Sequence, residues 1–169
     1  MFELNTICNC GVETNPLLRQ WIDRNIDQIH KAIEDLKKST AISDGILLDG
    51  APEGFKIAKV FIFKEGEHPA EFHPNSTQVS CLFEGQLRFD LESRTSPQRV
   101  SNSRSLQSFH DDPECFVRIE AGVAHRPRVL SHPAIGIVFH TDPKVGENSK
   151  YADSFDQLFL EINEGFDGI

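Results

Sequence analysis

The sequence contains no continuous apolar segment that approaches the roughly 20 residues a membrane-spanning helix needs. Its first ten residues, MFELNTICNC, lack the basic head and the apolar stretch of a secretory signal peptide. Basic residues are scarce, with 17 against 26 acidic ones, so the net charge is −9. We therefore expect a cytoplasmic protein that does not attach to membranes and does not bind nucleic acids, whose phosphates would repel it.

Several chemical motifs are also missing. There is no glycine-rich phosphate loop and no Gly-x-Ser-x-Gly nucleophile turn. Cysteine occurs four times, at positions 8, 10, 81 and 115, and no second pair at zinc-finger spacing accompanies Cys8 and Cys10. In a reducing compartment these side chains are expected to be free thiols, with Cys8 and Cys10 on a loose terminus.

The overall composition is that of a globular protein. The 169 residues are 38% hydrophobic and 25% charged, which suits a single domain over 1–169. An amphipathic N-terminal helix is predicted over 14–38, with Asn15 as its cap and Pro16 in its first turn. Its apolar residues recur at spacings of three and four, at Leu18, Ile22, Ile26, Ile29, Ile33 and Leu36. We expect this stripe to pack on the rest of the domain or, alternatively, to form a dimer seam.

The middle of the chain, 55–140, is rich in short β-branched and aromatic runs such as FKIAKVFIFK and AIGIVFH. Turn residues separate these runs, and the polar stretch at 92–105 has the composition of a loop. There is no room for crossover helices, so the pattern predicts an all-β barrel with a closed or double sheet. The tail predicts a short C-terminal helix over 149–162, laid against the barrel.

Polar side chains of the types that bind metals and catalyse reactions lie inside this strand-rich region. Residues two apart in a strand face the same side, so Glu71 and His73 are expected to project together. A turn at 74–76 then leads to a neighbouring strand that begins at Gln78, and His125 opens a later strand after a glycine turn. If these strands face one interior, four polar groups converge there. Each buried group left unpaired would cost roughly 1–3 kcal/mol, so a metal, a ligand or water must satisfy them.

The spacing of these residues resembles the two sequence motifs of the cupin superfamily. Five residues fall at or within one residue of the places in the first motif, namely Gly66, Pro69, His73, Gln78 and Gly85, and two match the second motif, Gly122 and His125. The resemblance implies a mainly β fold, the cupin-type double-stranded β-helix or jelly-roll barrel, over 55–140. It also implies a homodimer, because such barrels often pair through their sheet edges. The chain departs from the motif at two positions, where Glu71 replaces the first histidine ligand and Gln78 replaces a glutamate.

One interpretation of this altered set is a metal site. Glu71, His73 and His125 would be ligands of a divalent ion, with Gln78 as a weak fourth ligand or a neighbour of the ligands. Imidazole and carboxylate ligands suit Fe, Mn, Ni or Zn, and the ligand types do not separate these metals. The implied function is a metal-dependent enzyme, of dioxygenase or isomerase type, that acts on a small organic acid or a sugar-derived substrate. His140, at the end of the last strand, is predicted to contact that substrate.

Two other interpretations stay open. The barrel could be a metal-free isomerase or epimerase of a sugar derivative, with Glu71 as general base and His73 or His125 as acid. It could also be a non-catalytic barrel that binds a small ligand in the same pocket. The fold alone does not decide among these, because one architecture hosts many unrelated reactions.

Overall fold

The computed structural model describes residues 10–95, 98–106, 108–113 and 115–164. Over these ranges nine strands form one sheet. The strands are β1 (Gly11–Thr14), β2 (Ser43–Leu47), β3 (Ile57–Phe63), β4 (Ala70–Phe72), β5 (Gln78–Thr95), β6 (Gln98–Ser105), β7 (Cys115–Ile119), β8 (Ala124–His140) and β9 (Lys150–Ala152). The helices over the same ranges are α1 (Pro16–Arg24), α2 (Ile26–Lys38), α3 (Val145–Asn148) and α4 (Phe155–Glu164). Within these ranges, none of the helices has both the length and the apolar character needed to cross a bilayer.

The sheet runs in the order β1-β7-β5-β8-β3-β2, and all of its neighbouring strands are antiparallel. Strand β6 pairs with β5, and β4 pairs with both β8 and β9. The two long strands β5 and β8 pair with each other over most of their length. The predicted mainly β, jelly-roll architecture is confirmed, and the sheet extends beyond the predicted range of 55–140 at both ends.

The long pair of strands bends at a glycine. The register between β5 and β8 shifts on either side of Gly85, which has a φ of 78°. A Cβ atom at this position would lie 2.3 Å from the carbonyl oxygen of Pro133 and 2.6 Å from that of Ser131. Only glycine fits here, both because of this close approach and because of the positive φ. The bend allows β5 and β8 to contribute to two different walls of the barrel.

Both faces of the central strands are buried. In β3, Ala58, Val60 and Ile62 face outward into a cluster with the two N-terminal helices, while Phe61 faces the barrel interior. The helical residues in this outer cluster are Leu18, Ile22, Ile29, Ala32, Ile33 and Leu36. Five of the six residues of the predicted stripe are therefore buried within the chain, as the first of the two expectations for it holds, and the sixth, Ile26, is half-buried.

The prediction of one continuous helix over 14–38 is wrong, because two helices meet at Asn25. Asn15 caps the first helix as predicted, since its Oδ1 accepts a hydrogen bond from the amide of Leu18 at 3.1 Å. The side-chain nitrogen of Asn25 donates to the carbonyl oxygen of Trp21 at 2.8 Å. An asparagine side chain that bonds to the backbone in this way competes with the helical hydrogen bonds, which accounts for the break.

Two further expectations differ from the structure. The described residues of the polar stretch at 92–105 are not a loop but lie in β5 and β6, which pair antiparallel from Arg88 with Ser105 to Thr95 with Gln98. The C-terminal helix begins at Phe155 and not at 149, because 150–152 form β9 and pair with β4. In the first segment polar strands pair with each other, and in the second the pairing is with a strand about 80 residues away, so neither is marked by local apolar alternation.

The expectation of a loose terminus fails at Cys10. This residue is fully buried, and its sulfur accepts a hydrogen bond from the amide of Glu120 at 3.3 Å. Burial raises the pKa of the Cys10 thiol, so the side chain stays protonated and unreactive. Cys8 lies outside the described residues.

Candidate metal centre

The carboxylate of Glu71 and two imidazoles meet inside the barrel. Ligand atoms of Glu71, His73 and His125 all lie within 4.8 Å of one another. Oε2 of Glu71 is 3.3 Å from Nε2 of His125 and 3.7 Å from Nε2 of His73. Both histidines are buried, and the Glu71 side chain is 19% exposed. Three of the four predicted ligands therefore come together from two distant parts of the chain.

Strand alternation turns these side chains inward. Ala70 and Phe72 face outward and pack beneath α4, so Glu71 between them faces the interior. His73 follows directly after β4. His125 is the second residue of β8 and is the direct cross-strand partner of Glu71, which brings their side chains close together.

A glycine turn joins the two segments that carry the histidines. Gly122 has a φ of 80°, and its amide donates a 2.9 Å hydrogen bond to the carbonyl oxygen of His73. The left-handed conformation favours glycine, which explains why the turn before His125 contains this residue. The backbone itself thus fixes the distance between the two histidines.

Hydrogen bonds hold the outer nitrogen of each imidazole. Nδ1 of His125 lies 3.1 Å from the carbonyl oxygen of Val123, and Nδ1 of His73 lies 2.6 Å from Oγ of Ser149. A carbonyl oxygen only accepts, so Nδ1 of His125 carries a proton. The Ser149 hydroxyl donates its proton to the carbonyl oxygen of Val145 and therefore accepts from His73. Nε2 is consequently the nitrogen of each ring that faces Glu71.

One carboxylate oxygen and two imidazole nitrogens face one another at the centre of this group. Nε2 of His125 is buried and has no hydrogen-bond partner, although it lies close to the carboxylate. Burial alone would raise the pKa of the Glu71 carboxyl, but the contacts with His125 and His73 outweigh it and hold that pKa below its usual range. Burial and the neighbouring His125 lower the pKa of His73, against the opposing effect of Glu71. A divalent cation among the three acceptor atoms would satisfy all of them.

The other two predicted site residues lie at the same cavity. Gln78 and His140 are paired across β5 and β8, and both line a cavity of about 90 Å³ together with Glu71 and His73. The ring of His140 lies 5.3 Å from that of His73, edge to face. Burial, followed by the charges of His73, Lys59 and His125, lowers the pKa of His140 to about 2, so this side chain is neutral.

Four further polar residues of this cavity were not predicted from the sequence. Lys59, Ser80, Ser149 and Tyr151 also line it. For Lys59 and Ser80 a signal was available, because each lies two residues from an inward-facing position, Phe61 and Gln78 respectively. For Ser149 there was none, since it lies 76 residues from the histidine that it holds.

Comparison with known proteins was made at the level of sequence and of structure. No protein-family model matches the chain, and no curated protein matches its sequence. Among solved structures, 208 chains match its fold. Oxalate oxidase in complex with the substrate analogue glycolate superimposes with a TM-score of 0.52 at 19% identity, and the match covers 68% of this chain and 57% of that one.

Two other matches are similar in extent. The oxalate decarboxylase of Lactobacillus farciminis in a formate complex has a TM-score of 0.51 at 13% identity, over 70% of this chain and 34% of that one. CapF with the inhibitor 3-isopropenyl-tropolone has a TM-score of 0.52 at 13% identity, over 69% and 34%. The chain thus spans between one third and 57% of the length of these proteins, which are all cupins. The prediction made from the motifs around His73 and His125 is confirmed: the chain has the cupin fold.

Proposed function

We propose that this protein is a metal-dependent enzyme that acts on a small organic acid or a sugar-derived substrate. Glu71, His73 and His125 are the metal ligands in this proposal, Gln78 is a fourth ligand or a neighbour of the ligands, and His140 contacts the substrate. The partner is a small molecule, and the predicted homodimer and cytoplasmic location stay predictions.

One observation carries the metal assignment. Nε2 of His125 and Nε2 of His73 lie 3.3 and 3.7 Å from the same carboxylate oxygen of Glu71, while the Nδ1 atom of each ring bonds elsewhere. An ionised carboxylate and two imidazole nitrogens this close together need a cation or a proton among them. Two nitrogen ligands and one oxygen ligand suit Fe, Mn, Ni or Zn. When bound, such an ion supplies Lewis-acid or oxygen-activating chemistry, of isomerase or dioxygenase type respectively.

The cavity beside the ligands favours a small substrate. Its volume of about 90 Å³ is well below the roughly 300–1,000 Å³ of sites for larger ligands. Phe61, Phe89 and Val138 line it and exclude water from one side. Two structures with the same fold hold small carboxylates, glycolate and formate, which supports an organic acid as the substrate class.

Elemental analysis of the untagged protein tests the metal assignment, since a polyhistidine tag would itself bind metals. We expect about one divalent ion per chain in the wild-type protein and a nearly complete loss in His73→Ala and in His125→Ala. His30→Ala is the control, because His30 is exposed on α2 and remote from the cavity. A wild-type protein that stays metal-free after both aerobic and anaerobic purification would overturn the proposal.

The metal-free alternative has one observation in its favour. The 3.3 Å contact between Nε2 of His125 and Glu71 also fits an imidazolium that pairs with a carboxylate, with Glu71 as the base of a sugar isomerase. This function predicts exchange of solvent protons into a keto sugar by the chelator-treated protein. A loss of that exchange on chelation would exclude it.

A further inference from the structure

We propose that Lys59 and Ser80 form an anion-binding subsite that holds the carboxylate group of the ligand. The subsite rests on the proposed function in one respect, because it assumes that the cavity beside Glu71 and His73 is the ligand site. It narrows the two proposed substrate classes to a carboxylate and adds two binding residues that the sequence motifs do not contain.

The strand register places the two residues in one row. Lys59 of β3 pairs with Val138 of β8, and Val138 pairs with Ser80 of β5. The next row along the same face contains His140 and Gln78. Antiparallel partners directly opposite each other face the same side of a sheet, so the whole row faces inward. Lys59 and Ser80 accordingly line the same cavity, on either side of an apolar residue.

The ammonium group of Lys59 has no ion-pair partner among the described residues. It forms no hydrogen bond and no ion pair with the part of the chain that the structure describes. Its aliphatic stem crosses Gly45 of β2, where a Cβ atom would lie only 2.8 Å from the Lys59 Cδ. A side chain at position 45 would clash with the Lys59 side chain, so glycine there leaves room for the lysine to extend over β2. A half-buried lysine that lines this cavity without forming an ion pair favours an anionic ligand.

The hydroxyl of Ser80 is a second, independent sign of a ligand. Ser80 is fully buried, and its Oγ has no hydrogen-bond partner. A buried hydroxyl that lines a cavity is satisfied by a polar atom of whatever occupies that cavity. A carboxylate has two acceptor oxygens, which suits one ammonium donor and one hydroxyl donor, and its small size suits the cavity.

Calorimetric titration with glycolate, a small carboxylate, tests the subsite, with glycolamide as its neutral analogue. We expect Lys59→Met to weaken glycolate binding about 10- to 100-fold, as the loss of a charged hydrogen bond does. Ser80→Ala should weaken it about fivefold while melting no lower than the wild type, because the lost hydroxyl has no protein partner. Lys56→Met is the matched control, since Lys56 is exposed and precedes the same strand. Glycolamide should bind more weakly than glycolate to the wild type and equally to wild type and Lys59→Met.

The titrations are run on metal-loaded and on chelator-treated protein, and the metal content of each variant is measured. Equal glycolate affinities of wild type and Lys59→Met, or no binding to the wild type, would overturn the subsite. If the wild type binds metal as expected but Lys59→Met binds glycolate as tightly as the wild type does, the subsite proposal is wrong and the metal assignment stands. If the untreated wild type contains no metal after purification and after metal loading, but its glycolate binding is weakened by Lys59→Met, the subsite is supported and the metal assignment is wrong.

Discussion

The amide of Gly122 donates a hydrogen bond to the carbonyl oxygen of His73 across 2.9 Å. Through this bond the turn that precedes one imidazole is anchored to the residue that carries the other. The positions of His73 and His125 therefore depend on each other through the backbone, apart from any ion between their side chains.

Gly122→Ala should lower metal affinity because it distorts this turn. The φ of 80° is unfavourable for alanine, and we expect a loss of about 1 kcal/mol of unfolding free energy. Gly50→Ala is the control, since Gly50 has a φ of 76° and equally open surroundings but lies in a different loop. The two variants should lose similar stability in denaturant titrations, and only Gly122→Ala should bind metal more weakly. Equal metal affinities in the two would show that the turn does not position the histidines.

Ser149→Ala should weaken metal binding about 10- to 100-fold, the usual effect of removing the group that orients a histidine ligand. The variant leaves Nδ1 of His73 without its acceptor at 2.6 Å, so the ring is free to turn. Ser154→Ala removes a hydroxyl that accepts from the amide of Gln157, away from the cavity, and should bind metal as the wild type does. Competition with a chromophoric chelator measures these affinities, and an unchanged value for Ser149→Ala would contradict the role of this serine.

The metal-free protein should become less stable between pH 7 and pH 5 because of His140. Its pKa is about 2 in the folded chain and about 6.5 in the unfolded chain, so on acidification only the unfolded state takes up the proton. This linkage removes about 2 kcal/mol of unfolding free energy over the interval. Glu71 does not contribute to the loss between pH 7 and pH 5. Its lowered pKa stabilises the fold, and that stabilisation is lost only when the pH falls below the ordinary pKa of a glutamate.

Urea titrations of the wild type and of His140→Gln at pH 7 and pH 5 measure this effect. The difference in unfolding free energy between pH 7 and pH 5 should be about 2 kcal/mol smaller in His140→Gln than in the wild type. The exposed His30→Gln serves as a control and should keep the wild-type difference. The same difference in all three proteins would show that His140 is not held neutral.

Ile22→Ala should lower the unfolding free energy by about 3 kcal/mol, because Ile22 is fully buried between α1 and the sheet. Leu17→Ala in the same helix should change it by less than about 0.5 kcal/mol, since Leu17 is 61% exposed. The loss in Ile22→Ala should be the same at every protein concentration, because the contact lies within one chain. A loss that grows on dilution would instead place this helix at a dimer seam.

The sequence predicted the parts of the site that obey local rules. Strand alternation brought Glu71 and His73 to one face, and the turn after His73 brought Gln78 to the same cavity. Ser149 was not predicted because it lies between the single helical turn of α3 and the short strand β9, 76 residues from the histidine that it contacts. The pairing of β5 with β6 was not predicted because polar strands lack the apolar alternation that marks a buried face.

The strand that carries the carboxylate has an unequal set of attachments. Strand β4 is three residues long and pairs with β8 only between Glu71 and His125, whereas all three of its residues pair with β9. Its outer face is covered by Leu158 and Phe159 of α4. Strand β4, β9 and α4 are therefore suited to open together without unfolding the rest of the barrel. An ion bound by both Glu71 and the histidines would hold β4 against β8 and so disfavour this local opening. Amide hydrogen exchange at 150–152 should therefore slow on metal loading, although none of these residues is a proposed ligand.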